Sequence, residues 1–279
     1  MALTVAEARL WGERELAPEQ RRDVAYLLRA AMGRDAAYVL AHGEEVLTDE
    51  VAPRFRAMIA RRQAGEPVQY IIGTQEFWGL ELQVTPAVLI PRPETEHVVE
   101  AVLARVSRDA DLRIADVGTG SGAIAIALAK ELPRARIVAT DISAAALRVA
   151  KKNAEQHRVG NRIEFVECDL LPVQLQNYFD VIASNPPYVA EADRETLARE
   201  VRDFEPAQAL FAGADGLEVY RRLIPVAKAA LKPGGWLVME IGFGQQAAVE
   251  KLLLASDYSE VRFVPDYQGI PRVAVCRRA

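Results

Sequence analysis

The chain has 279 residues, 51% hydrophobic and 26% charged, with a formal net charge of −5. That length suits two domains and a full core, and the composition excludes disordered, collagenous and membrane-spanning classes. The acidic balance argues against a large phosphate-binding surface, and pairs such as Arg21-Arg22, Arg61-Arg62 and Lys151-Lys152 are explained as solvated helix faces.

No apolar run reaches bilayer length, and Glu7, Arg9, Glu13 and Arg14 stand where a signal peptide would be apolar, so a cytoplasmic location and no membrane partner are expected. Cys168 and Cys276 lack metal-ligand spacing and read as buried thiols in strands; no metal is implied.

Residues 1–66 read as a small helical bundle. Val24, Leu27, Leu28 and Ala31 recur at helical spacing after Pro18, a residue suited to a first turn. Tyr38, Val39 and Leu40 suggest a short helix, and another is expected from a cap at Thr48 through Phe55, Met58 and Ile59 to Gly65. His42 reads as an ordinary loop histidine. With no nucleophile or metal constellation in the segment, partner binding is its default role.

Residues 67–86 change pattern. Val68, Tyr70, Ile71 and Ile72, then Phe77, Trp78, Leu80, Leu82 and Val84, alternate with polar residues around Gly73 and Gly79, so a β-hairpin linker is expected. Residues 87–279 form the third segment. It opens on the stiff loop Ile90-Pro91-Arg92-Pro93-Glu94-Thr95-Glu96, leading into a helix from Thr95 to Val106.

From Asp111 onward strands and helices alternate. Strands are expected at 112–117, 137–140, 163–168, 179–184 and 236–241, with helices after the first two and a longer one from Gly216 to Leu231. Tyr258 to Val264 and Arg272 to Cys276 complete an antiparallel pair. Repeated strand-helix units build a mostly parallel sheet with helices on both faces, an α/β fold.

The strand ends carry the chemistry. Gly118, Thr119, Gly120, Ser121 and Gly122 form a loop whose glycines permit a tight turn and bring backbone amides close to a ligand. Asp141, at the end of the next strand, is placed to accept hydrogen bonds from two ribose hydroxyls. Glycine spacing fits NAD as well as S-adenosylmethionine, and both carry that ribose.

The third and fourth strand ends separate them. Asp169 can accept from an adenine amino group, and Asn185-Pro186-Pro187-Tyr188 follows an apolar strand that two prolines must stop. As a bare tetrapeptide this is as readily a surface turn as a site. Beside the glycine loop and the acids it gains a use, because the Asn185 side-chain oxygen and the Pro186 carbonyl are two fixed acceptors suited to an NH2 group. Hydride transfer has no need of them. Methyl transfer to a planar nitrogen does, since holding both protons outward directs the lone pair at the electrophile, and Tyr188 can stack on the planar group.

Together these segments resemble the class I, Rossmann-like S-adenosylmethionine-dependent methyltransferases that act on exocyclic amino or amide nitrogens. The helical N-terminal part, the hairpin, Ile90 to Glu96 and the Asn-Pro-Pro-Tyr turn more narrowly resemble the HemK or PrmC family, the protein-(glutamine-N5) methyltransferases of peptide chain release factors. That resemblance implies S-adenosylmethionine as cofactor and S-adenosylhomocysteine as product. It places the cofactor on Gly118 to Gly122, Asp141, Asp169, Leu170 and Asn185. The substrate glutamine, from a Gly-Gly-Gln loop, falls to Asn185, Pro186, Pro187 and Tyr188, with Asn185 and Tyr188 as catalytic residues and the helical bundle gripping the release factor. Leu170 departs from relatives that carry tryptophan there. The rival acceptors are a ribosomal-protein glutamine and adenine N6 or cytosine N4 of nucleic acid; the acidic charge counts against the last two. From other classes, the rivals are a nicotinamide-dependent oxidoreductase and a non-catalytic protein that retains the fold.

Overall fold

The computed structural model describes residues 3–279. The chain forms two compact units: one runs through Thr74 and takes in Ala198–Phe204, the other comprises Gln75–Leu197 and Glu205–Ala279.

The first unit is built from α1 (Val5–Glu15), α2 (Asp23–Met32), α3 (Ala36–Ala41), α4 (Val51–Gln63) and α5 (Val68–Ile72). Thr4 and Glu7 form a reciprocal capping box that starts α1, and Asp35 caps α3 through the Tyr38 amide. The interior packs Leu27, Leu28, Phe55 and Ile59. Gly12 lets α1 and α2 approach closely, because a Cβ there would stand 2.9 Å from Val24. A buried ion pair, Arg62 to Asp23 at 2.8 Å, is extended by Glu200 at 2.8 Å from Arg62.

The segment Val68–Ile72, expected as the first strand of a hairpin, is instead a helical turn closed by Gly73 at φ +91°. Tyr70 and Ile71 are buried there, Ile71 within the bundle core. A five-residue apolar run has no resolvable period, and tertiary burial decided it. The hairpin is shorter, β1 (Thr74–Phe77) and β2 (Leu80–Gln83). Its turn residues Trp78 and Gly79 have φ +55° and +66°, the sign pattern of a type I′ turn.

The second unit continues with α6 (Glu96–Leu103), β3 (Arg113–Val117), α7 (Ala123–Glu131), β4 (Arg136–Asp141), α8 (Ala144–Gln156), β5 (Ile163–Glu167) and β6 (Phe179–Ser184). After α9 (Arg199–Phe204), which belongs to the first unit, come α10 (Glu218–Ala230), β7 (Leu231–Glu240), α11 (Gln246–Ala255), β8 (Tyr258–Pro265) and β9 (Pro271–Arg278). The sheet order is β5-β4-β3-β6-β7-β9-β8. The first five strands are parallel; β9 pairs antiparallel with β7 and β8.

That is the expected mostly parallel sheet with a C-terminal antiparallel pair. Boundaries moved at several places. The helix expected to reach Val106 ends at Leu103, and β5 ends at Glu167, which leaves Cys168 half-buried in the following turn rather than in a strand. Cys276 is buried in β9 as expected. α7 is buried on all sides, as an Ala/Ile helix must be when it is sandwiched in a core. The carboxyl ends of β3 and β6, adjacent strands whose connections leave toward opposite edges, create the crevice where ligands bind in such sheets.

Candidate active site

A cavity of about 380 Å³ opens at those strand ends. Its wall includes Gly118, Thr119, Gly120, Ser121, Asp141, Asp169, Leu170, Asn185, Pro186 and Pro187, so most of the residues singled out in the sequence meet around one space. Gly122 and Tyr188 stand outside that wall.

Gly118 and Gly120 adopt φ +71° and +55°, and a Cβ on either would meet nothing within 4 Å. The backbone there demands glycine, and the missing side chains leave the loop thin beside the cavity. Gly122 differs. Its Cβ would lie 3.0 Å from Ile126 and 3.2 Å from Ala150, so the third glycine lets the start of α7 pack on α8. Thr119 is buried and donates to the Asp116 carboxylate at 2.6 Å, while Ser121 accepts from Asn153 at 2.9 Å through its carbonyl.

Asp116 is fully buried in β3 and also accepts the Ala125 amide at 3.0 Å through the same Oδ2. Its Oδ1 has no hydrogen-bond partner, and burial pushes its pKa up to about 7 against the pull of Thr119 and Ala125. Asp141 accepts the Gly120 amide at 2.9 Å with Oδ2 and the Ser143 amide at 2.9 Å with Oδ1. One carboxylate therefore ties the glycine loop to the start of α8, whose cap is Ser143. Each oxygen retains lone-pair capacity.

Asp169 is exposed and pairs with Arg222 of α10, which also lines the cavity. The sequence reading gave that acid no such partner. Leu170 has φ +63°, and its carbonyl accepts from Thr140 Oγ1 at 2.6 Å, which holds its strained backbone against β4.

At the other end, Asn185 Nδ2 donates to Thr95 Oγ1 at 3.0 Å, and among the described residues no protein donor reaches its Oδ1. The Pro186 carbonyl takes no backbone hydrogen bond from the described residues. Tyr188 is half-buried and donates to Glu240 Oε1 at 3.1 Å, and its carbonyl accepts from Gln245 at 2.9 Å. Burial and the Glu240 charge push the Tyr188 pKa far up, so the phenol stays protonated. Thr95, Glu240, Gln245 and Arg222 went unnoticed as site residues. A lone acid ending the apolar run of β7 was a signal of the same kind as Asp141 and Asp169.

A family model described as the PrmC N-terminal domain matches residues 2–73, and one described as the methyltransferase small domain matches residues 97–209. The release factor glutamine methyltransferase of Koribacter versatilis is 45% identical over 94% of this chain and 92% of its own length. The one from Geobacter sulfurreducens is 43% identical over 91% and 88%. This chain belongs to the release factor glutamine methyltransferase family. Among solved structures, the human METTL16 catalytic domain bound to an RNA hairpin superposes with TM-score 0.57 at 20% identity over 84% of both chains. A Pyrococcus furiosus methyltransferase gives 0.53 at 16% over 80% of this chain and 98% of its own. At such identities these two share the fold. The PrmC N-terminal match spans the helical bundle, the region to which the sequence had assigned no chemistry.

The residues present fit the family's cofactor. The open space at Gly118 and Gly120 admits a ligand against the backbone, Asp141 has acceptors to spare for a ribose diol, and Ile142 and Leu170 supply apolar wall for a base.

Proposed function

We propose that this protein transfers a methyl group from S-adenosylmethionine to the side-chain N5 of the glutamine in the Gly-Gly-Gln loop of peptide chain release factors. The observation that carries it is Asn185, whose amide nitrogen is occupied by Thr95 while its oxygen and the neighbouring Pro186 carbonyl are left as acceptors beside the cavity.

When bound, S-adenosylmethionine supplies a methyl on a cationic sulfur, which keeps the electron pair of the broken S–C bond. Asn185 Oδ1 and the Pro186 carbonyl would accept hydrogen bonds from the two amide N–H groups and so turn the nitrogen lone pair toward that carbon. This positioning stands in for a strong base, because the N5 proton becomes acidic only as the new N–C bond forms and then leaves to water. Tyr188, kept protonated, serves as a donor to Glu240 rather than as a base. Asp141 and the glycine loop hold the ribose, and Asp169 with Leu170 takes the adenine, with Arg222 sharing the Asp169 carboxylate.

The helical unit, through Thr74 and with Ala198–Phe204, acts as the grip on the protein substrate, and the second unit acts as the transferase. Release factors act in the cytoplasm, which is where we assign the protein; nucleic acid is not its substrate. Mass spectrometry of an intact release factor after incubation with enzyme and S-adenosylmethionine should find one methyl on that glutamine, weaker labelling of short peptides, and none when the glutamine is replaced by glutamate. Label on adenine in nucleic acid, with release factor unmodified, would sink the assignment.

A further inference from the structure

β6 and β7 run parallel with Ser184 opposite Met239, so the next residues, Asn185 and Glu240, leave neighbouring strands at the same height. Thr95, buried at the end of the Pro93–Thr95 turn, fills the gap between them. Its hydroxyl donates to Glu240 Oε2 at 2.6 Å and accepts from Asn185 Nδ2 at 3.0 Å. Glu240 is 2% exposed, and its other oxygen accepts the Tyr188 hydroxyl at 3.1 Å.

The polarity of this chain follows from its end. Burial pushes the Glu240 pKa up, and the Thr95 and Tyr188 hydroxyls that both donate to it pull the other way. As a carboxylate it can only accept, so the single Thr95 proton is committed to it, and the Thr95 oxygen is left as an acceptor. Asn185 must then offer its NH2 to Thr95, which turns its own oxygen the other way. A neutral amide in place of Glu240 could donate to Thr95 or accept from it, and Asn185 would be free to flip. Flipped, it would present a donor where the substrate NH2 must be received.

We infer that Thr95 and Glu240 are positioning residues that set the orientation of the Asn185 amide, and thereby make the pocket accept an NH2 group and reject a carboxylate. This deepens the function proposed above and rests on it. Glu240 also fixes the Tyr188 hydroxyl, so one buried carboxylate orients both side chains of the turn. A site committed to one polarity discriminates by leaving the wrong ligand's oxygens facing acceptors.

The test uses the intact enzyme with Thr95→Val, Thr95→Ser and Glu240→Gln, each first checked for S-adenosylmethionine affinity by calorimetry. Thr95→Val keeps the shape and loses the hydroxyl, whereas Thr95→Ser keeps the hydroxyl and loses the methyl. Turnover on release factor should fall at least about tenfold in Thr95→Val and Glu240→Gln and stay within about threefold of wild type in Thr95→Ser. A release factor with glutamate in place of the glutamine should inhibit the first two variants more strongly than it inhibits wild type. A packing role predicts the reverse order, with Ser impaired and Val normal; that order, or unchanged glutamate inhibition, overturns the inference. The Asn185 side-chain NH2 resonances, followed by NMR without any substrate, should shift in Thr95→Val and not in Thr95→Ser. If wild-type enzyme leaves every release factor unmethylated, the proposed function fails, and those resonances alone decide the orienting role: no shift in Thr95→Val ends it.

Discussion

The two ends of the cavity are held in different ways. At the glycine-loop end most polar partners lie within the run from β3 to α8: Thr119 meets Asp116 three residues away, Asp141 meets Ser143 at two and Gly120 at 21, and Asn153 meets Ser121 at 32. At the Asn-Pro-Pro-Tyr end they are remote. Asn185 meets Thr95 across 90 residues, Tyr188 meets Glu240 across 52, and Thr95 meets Glu240 across 145. The first end is built largely from the consecutive elements β3 to α8, and the second exists only once β6, β7 and the Pro93–Thr95 turn are assembled. The local end should therefore govern cofactor affinity, and the assembled end turnover.

The largest effect that would break this division is at Asn185. Asn185→Ala removes one of two acceptors for the substrate amide, and turnover should drop about a hundred- to a thousandfold, the scale seen when a single preorganised hydrogen-bonding group is deleted. S-adenosylmethionine affinity should change far less. Steady-state kinetics on release factor and calorimetry on the same preparation give both numbers, and near-normal turnover would return the tetrapeptide to a plain surface turn.

Asp116 sharpens the other half. Its pKa stands raised to about 7 by burial, so the folded protein holds a proton that the unfolded chain releases near pH 4. Its contribution to stability is then fully present below the unfolded value and lost as pH rises through about 7, a decline of roughly a few kcal/mol. Asp116→Asn keeps an oxygen for Thr119 and Ala125 and has no charge to bury, so its urea midpoint should fall less between pH 5 and 8 than that of wild type. Parallel pH profiles would remove Asp116 as their cause.

Asp141 should show a smaller effect. Asp141→Ala deletes charge-assisted hydrogen bonds of about 1.5 to 3 kcal/mol, which corresponds to a loss of roughly ten- to a hundredfold in S-adenosylmethionine affinity. It also frees the Gly120 and Ser143 amides, so the glycine loop should exchange its amide hydrogens faster. Unchanged affinity by calorimetry would take Asp141 out of the cofactor site.

Read alone, the sequence determined the order of strands and helices, the antiparallel ending of the sheet, the glycine loop, the acids at the strand ends and the stop at Pro186-Pro187. These follow from local rules: apolar runs of strand length, glycine where φ is positive, and proline where a ladder must end. What it left open turned on burial and on contacts between distant segments. Val68–Ile72 became a helix because Tyr70 and Ile71 had somewhere to be buried; Gly122 proved to be a packing contact between α7 and α8. Arg222 reached Asp169, and Thr95 and Glu240 took hold of Asn185 and Tyr188. Glu240 ends an apolar strand as Asp141 does, but none of these pairings carries a local signature, because a hydrogen bond between segments far apart in the chain is written in the register of β6 against β7 and in the placement of a turn, both of which only packing sets.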